Sequence, residues 1–164
     1  MSEMRIEAAK FRDVLGHYPT GVCVLTAMGT TGKPVGMVVG SFSSVSLDPP
    51  LVGFFPAVSS STWPLIEKAG HFCVNVLASD QTDLCRQIAG PGDKFAGVEF
   101  SISDHQLPVL AGAVASIECK LESVTPAGDH FLVLGRVLRL EAYRQTDPML
   151  FFRGQYGTFA SRSA

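Results

Sequence analysis

Charge is scarce in this chain, and its scarcity removes several function classes. Only 17% of the 164 residues are charged, 13 Lys and Arg against 15 Asp and Glu for a formal net charge of −2, and no basic run occurs anywhere. Without a basic patch there is nothing to neutralise phosphates along a strand or a lipid surface, so nucleic acid and anionic membrane are not expected partners. Cysteine is sparse too: Cys23, Cys73, Cys85 and Cys119 stand far apart with no C-x-x-C, which suggests neither a zinc site nor a disulfide framework. Reduced thiols in the cytoplasm fit that pattern. No apolar run approaches membrane-spanning length, and Met1 to Lys10 carries Glu3, Arg5, Glu7 and Lys10 in place of a signal-peptide core. His17, His71, His105 and His130 share no metal-ligand spacing, so no metal is expected. Three motifs also fail. Gly32-Lys33 has neither the upstream glycine nor the following hydroxyl of a phosphate loop. Gly90-Pro91-Gly92 has no third glycine, and G-x-S-x-G is absent.

What the chain does have is apolar content, at 46% of residues. With so little charge to cover a surface, part of that apolar area is expected to be covered by a second copy of the chain. The length suits a single domain over residues 1–164. Apolar positions Ala8, Phe11, Leu15 and Tyr18 recur at helical spacing, predicting an amphipathic helix from Arg5 until Pro19 ends it. Thr20 to Met28 reads as a buried strand. Gly29 to Pro34 is turn chemistry, and Val35 to Ser46 returns as the second strand of a hairpin.

Gly40 to Pro50, G-S-F-S-S-V-S-L-D-P-P, is the oddest stretch. If extended, it turns Ser41, Ser43 and Val45 to one face and Phe42, Ser44 and Ser46 to the other, so hydroxyls line both. Small hydroxyl residues let a flat ligand approach the backbone and can hold phosphate oxygens; a serine-rich edge strand ending in a turn is the alternative. Leu51 to Phe55 forms the next strand. Val58 to Gly70 has helix punctuation, with Ser61 or Thr62 as cap, Pro64 in the first turn and Gly70 as the left-handed stop. Such a helix start suits an anion, or is simply well capped. His71 to Leu77 is a strand that places Asn75 where core hydrogen bonding would satisfy it.

Ser79 to Ala89 is a further capped helix, closed by Gly90-Pro91-Gly92 and followed by Asp93-Lys94-Phe95 in a glycine-flanked loop. Ala113 to Thr125 and Phe131 to Tyr143 alternate across residues 126–130 as a hairpin. Met149 to Phe152 is a last strand, leading through Arg153-Gly154-Gln155-Tyr156 into a mobile polar tail over 158–164. Strands linked as hairpins, with helices inserted and no βαβ alternation, predict a mainly antiparallel barrel with helices outside.

G-S-F-S-S-V-S-L-D-P-P-L-V, then S-S-S-T-W, F-C-V-N-V-L, D-K-F-A-G, G-D-H and L-F-F-R-G-Q-Y fall in the order found in the short-chain flavin reductases. From Phe11 to Tyr156 the chain resembles that family, the reductase components of two-component flavin-dependent monooxygenases. The resemblance implies a mainly β fold with flanking helices, the FMN-binding split β-barrel of the flavin reductase-like type. It further implies a cytoplasmic homodimer and hydride transfer from NADH or NADPH to FAD or FMN, with reduced flavin passed to a separate monooxygenase. By the same resemblance Gly40, Ser41, Phe42, Ser43, Ser44, Ser46 and Leu47 would touch flavin. Ser61, Thr62 and Trp63 would lie near its phosphate, Lys94 would supply charge and Phe95 packing. His130, Phe152, Arg153, Gly154 and Tyr156 would face the nicotinamide cofactor, with His130 positioning the ring.

The residues also admit plainer readings: His130 as a residue after a turn, Lys94 as a solvated loop lysine, Arg153 and Tyr156 as a dimer edge, Trp63 as packing. Hydride transfer between two cofactors needs neither nucleophile nor general base, which agrees with the missing motifs. Two rivals share the architecture. An FMN-bound oxidase of the pyridoxamine-phosphate type would need arginine clusters, which the chain lacks. A non-enzymatic flavin- or haem-binding module would consume no reduced nicotinamide.

Overall fold

A computed structural model describes residues 6–162. The first element, α1 (Ala8–Leu15), is shorter than the predicted helix, and Arg5 lies outside the described residues. It buries none of its side chains, and its C-terminal end is tied down by Arg153 N–H donating to Gly16 O. Next come β1 (Thr20–Gly21) and β2 (Cys23–Met28), where one strand is predicted. The break at Val22 sends them to different sheets: Val22 N–H bonds Met149 O and Val22 O accepts from Leu77 N–H. The hairpin to β3 (Pro34–Val39) forms as expected, with Thr26 opposite Gly36.

β3 stops at Val39 instead of running to Ser46. Gly40 to Phe42 is irregular, and β4 (Ser43–Leu47) then pairs with β5 (Pro50–Phe54). A bulge at Val45, between the Ser44 and Ser46 pairings, adds a residue with no partner and breaks the strict two-face alternation predicted for this stretch. After α2 (Trp63–Ala69) come β6 (His71–Val76) and α3 (Thr82–Ala89), the latter without the predicted side-chain cap. A short hairpin that the sequence did not predict follows, β7 (Phe100–Ile102) and β8 (Pro108–Leu110). The two longest strands, β9 (Ala115–Ala127) and β10 (His130–Ala142), form the expected hairpin across Gly128-Asp129. β11 (Leu150–Phe152) and β12 (Gln155–Gly157) close the chain, so the segment leading from the expected last strand to the tail is itself a hairpin turn and a further strand; Arg153 and Gly154 both take positive φ, 49° and 78°. Residues 158–162 carry no regular structure.

The main sheet has the order β3-β2-β6-β9-β10-β5-β4, antiparallel throughout. β3 and β4 are therefore its two edges, yet only residues 40–42 separate them in sequence. Seven strands laid flat would span roughly 29 Å, whereas that link reaches roughly 14 Å. The sheet must curl until its edges meet, which makes it a barrel split along the β3/β4 seam. A second sheet, β1-β11-β12, lies beside that seam, since a Cβ on Gly40 would sit 3.0 Å from Thr20 Oγ1.

Inside the barrel, Leu25, Phe54, Trp63, Ile66, Phe72, Val74 and Val133 form the core, with Phe54 edge-on to both Phe72 (5.4 Å) and Trp63 (5.6 Å). Phe72 fills the space that a side chain at Gly135 would need: a Cβ there would lie 2.5 Å from its ring. On the outer face of β2 and β6, α3 and β8 add a second layer built on Val24, Leu77, Cys85, Ile88 and Leu110. Asn75 fastens that layer, its Nδ2 donating to Val24 O and Thr26 Oγ1 and its Oδ1 accepting Leu110 N–H at 2.8 Å. Among the described residues no helix is long and apolar enough to cross a membrane, and no group of three His, Cys, Asp or Glu could hold a metal.

Candidate active site

Three separate segments meet at one cleft of about 280 Å³, lined by Pro34, Val35 and Gly36 of β3, Ser61, Thr62 and Leu65 around the start of α2, and Gly92 to Phe95. Four of the predicted residues, Ser61, Thr62, Lys94 and Phe95, are thus brought together. The helix start is organised by Ser60, not by the predicted Ser61 or Thr62: Ser60 Oγ accepts the N–H groups of Thr62 (3.3 Å) and Trp63 (3.1 Å). That leaves the Ser61 and Thr62 hydroxyls uncommitted to capping. Gly70 takes the predicted left-handed stop, at φ 70°.

Lys94 is half-buried, and its ammonium donates to two neutral oxygens, Thr62 Oγ1 at 3.3 Å and Gly36 O at 3.4 Å. No ion pair among the described residues includes it. Asp93, the carboxylate nearest in sequence, accepts Phe95 N–H at 3.1 Å. A lysine with three donors, two long neutral contacts and no carboxylate is a ready partner for an anion. Phe95 packs edge-on against Phe100 and over buried Gly36, so its ring belongs to the wall of this cleft.

The serine stretch lies at the surface along the barrel seam. Ser43 and Ser44 are exposed, Ser41 and Ser46 half-buried, and Leu47 is 95% exposed on the edge strand. Ser41 Oγ is engaged by Phe55 N–H at 2.9 Å, which fixes the irregular link against β5. Phe42 turns inward onto the barrel core. Trp63 departs furthest from its predicted place: its ring is 1% exposed, locked in the core beside Phe54, so the side chain cannot reach a ligand in the cleft.

The residues predicted for the nicotinamide cofactor do not gather in one chain. His130 opens β10 at the tip of the long hairpin, bridged to Ala57, with Nδ1 2.7 Å from Asp129 Oδ1. That hydrogen bond holds the Asp129 carboxyl below its ordinary range. Phe152 and Tyr156 instead line a cleft of about 350 Å³ on the small sheet, with Pro19 and Leu150. His17 stands edge-on to Phe152 there. Tyr156 Oη accepts from buried Cys85 Sγ at 3.4 Å, and this contact, with burial, raises the phenol's pKa. Arg153 and Gly154 are exposed at the turn of the same sheet.

A larger depression, about 550 Å³ between Phe100, Leu110, Tyr143 and Arg144, contains none of the predicted residues, and its one cation is held by Asp80 at 2.6 Å. Arg136 and Arg139 are likewise committed to carboxylates on the surface. No arginine cluster of the kind that the oxidase alternative needs is formed among them.

The contribution that sequence reading missed is Gln87, on α3, whose Nε2 donates to Lys94 O (3.3 Å) and Ala96 O (2.8 Å). Nothing in a helical glutamine signals such a contact in advance.

Residues 15–160 match the family model described as a flavin reductase like domain. The chain is 52% identical over 157 residues to a flavin reductase of Pseudomonas putida, covering 95% of this chain and 92% of that one. It is 45% identical over 152 residues to the reductase subunit HsaB of a flavin-dependent monooxygenase from Rhodococcus jostii, covering 92% and 77%. Among solved structures, a homologue of nitrilotriacetate monooxygenase component B from Mycobacterium thermoresistibile superposes with a TM-score of 0.90 at 40% identity, covering 95% and 90% of the two chains. An NADH:FAD oxidoreductase of Streptomyces globisporus, solved with NAD and FAD fragments, gives 0.90 at 32% identity over 99% and 100%.

Proposed function

The chain belongs to the flavin reductase-like family, and from that premise we propose that it moves a hydride from NADH or NADPH to FAD or FMN and delivers the reduced flavin to a separate monooxygenase. The observation that carries the placement of the flavin is Lys94, an ammonium with no ion-pair partner among the described residues, donating to Thr62 Oγ1 in an open cleft that Ser61 also lines. In this reading Lys94, Ser61 and Thr62 hold the phosphate. Gly40 to Ser44, Ser46 and Leu47, part exposed and part half-buried, form the ledge along which the ring lies, and Phe95 walls the cleft.

Flavin supplies the hydride acceptor when bound; the protein supplies position, since reacting atoms held near contact distance gain most of the catalytic advantage available here. His130 orients the nicotinamide carboxamide through the ring nitrogen that Asp129 leaves free. Phe152, Arg153, Gly154 and Tyr156 contribute the rest of the nicotinamide surface. Because those groups occupy two places in one chain, we read the working enzyme as a homodimer in which two copies complete each site. The exposed apolar residues Phe11, Val14 and Leu15 of α1, Tyr18 just after it, and Val45 and Leu47 of β4 support a covered face. The four free, buried thiols fit a reducing, cytoplasmic setting.

A steady-state assay crossing NADH and NADPH with FMN and FAD tests the reading. Oxidation of reduced nicotinamide that depends on added flavin is the expected result; no turnover with any of the four pairs refutes it.

A further inference from the structure

Lys94 sits in a loop that glycine makes permissive, with Gly92 at φ 89° and Gly97 at φ 69°, and its charge is carried on a four-carbon stem. Left to itself such a loop would give the ammonium no fixed address. Two features from outside the loop supply one. The first is Gln87. Its helix is anchored by Cys85 and Ile88, both fully buried, and its side-chain amide grips the loop backbone on either side of Phe95, at Lys94 O and Ala96 O. The second is a notch in β3 at Gly36. This glycine needs no unusual backbone angle; its reason is space, because a Cβ would stand 3.0 Å from Phe95 Cζ and 3.2 Å from Leu25 O. The Phe95 ring occupies that notch, and the Gly36 carbonyl accepts from Lys94 Nζ.

We propose that Gln87 and Gly36 are positioning residues for the phosphate-binding Lys94: neither is assigned a contact to the phosphate, and they fix the loop so that the ammonium points at Thr62 and the cleft. The inference rests on the phosphate reading given above. It assigns to a helix glutamine outside the cleft and a strand glycine in its wall part of the enzyme's preference for a phosphorylated flavin over the bare ring system.

Binding of FMN and of riboflavin, measured by fluorescence titration, separates the two ideas, since riboflavin has the same ring without the phosphate. The dissociation constant for riboflavin divided by that for FMN reports phosphate recognition, and an unchanged riboflavin constant reports an intact fold. Lys94→Met should lower the ratio by roughly tenfold or more, as loss of a charge-assisted contact does. Gln87→Met should lower it by about three- to tenfold, the scale of a hydrogen-bond pair, and Gly36→Ala in the same direction. Gln87→Met added to Lys94→Met should change nothing further, because its effect passes through the lysine. If Lys94→Met leaves the ratio unchanged, the phosphate reading fails and takes this inference with it. If Lys94→Met lowers it and Gln87→Met does not, or Gln87→Met acts equally in the Lys94→Met background, the positioning role alone is overturned.

Discussion

The interior of the barrel and its seam are built on opposite terms. The interior is apolar, aromatic and closed, with Phe54, Trp63 and Phe72 in edge-to-face contact and glycine used to make room for a ring. The seam is hydroxyl-rich, open and glycine-linked. Its one half-buried cation is left without a counter-ion among the described residues. The lesson is a division of labour: a chain whose chemistry is carried by cofactors invests its packing in the wall and keeps the seam adaptable. Substitutions inside should therefore move stability and spare flavin, and substitutions along the seam should do the reverse.

The sharpest attempt to break that division is Gly135→Ala. The added methyl meets the Phe72 ring in a place with no room to yield, so stability to urea should fall by about 3 kcal/mol, an overpacking cost. Flavin binding by the folded fraction should be unchanged, and a mutant as stable as the parent would show that the wall is looser than its geometry.

Alkaline titration probes the interior without mutation. Burial pushes Cys23, Cys73 and Cys119 up from an ordinary 9.0 to about 12. Between those values the unfolded chain gives up thiol protons that the folded chain keeps, so the unfolded state binds fewer protons and stability falls as pH rises. Below pH 9 the three thiols are neutral in both states and contribute no slope. From pH 9 toward 12 each should remove about 1.4 kcal/mol per pH unit, read from urea midpoints across that range. A flat profile would mean the thiols ionise while still folded.

Along the seam, Ser61→Ala with Thr62→Ala should weaken FMN binding by roughly fivefold, about 1 kcal/mol, with little change in melting temperature. Unchanged titration curves would remove these hydroxyls from the phosphate site. The smallest effect is expected at His130→Ala, a rise of roughly threefold in KM for NADH with flavin affinity kept, the loss of a single exposed hydrogen bond. Equal loss of both would mean that His130 belongs to the hairpin's structure and not to nicotinamide.

Much of this was legible in the order of residues. Gly70 after an apolar helix, Gly128-Asp129 between two alternating runs, and hairpin-spaced strands without βαβ alternation all announce themselves locally, because helix stops and two-residue turns depend on φ preferences of neighbouring residues. Less legible were features whose cause lies far along the chain. Val35 to Ser46 has the composition of one strand, and only the choice of β2 by one half and β5 by the other divides it. Ser60 outcompetes Ser61 and Thr62 as the cap by where the preceding turn aims its hydroxyl. Trp63, placed by motif near a phosphate, is claimed by the core because so large an apolar surface gains more from burial.

The sequence by itself determined the class of structure, and the order of its motifs, through their resemblance to the flavin reductases, pointed to the kind of chemistry; sparse charge and the missing nucleophile and metal motifs agree with it. Tertiary structure alone decided which residues meet. Lys94 reaches Thr62 only because the sheet closes on itself and α3 holds the loop, and His130 stands apart from Phe152 because their strands enter different sheets. Local propensity acts between neighbours in sequence, whereas a binding site is a set of distances between segments, and those distances are set by how the sheet curls and what packs against it.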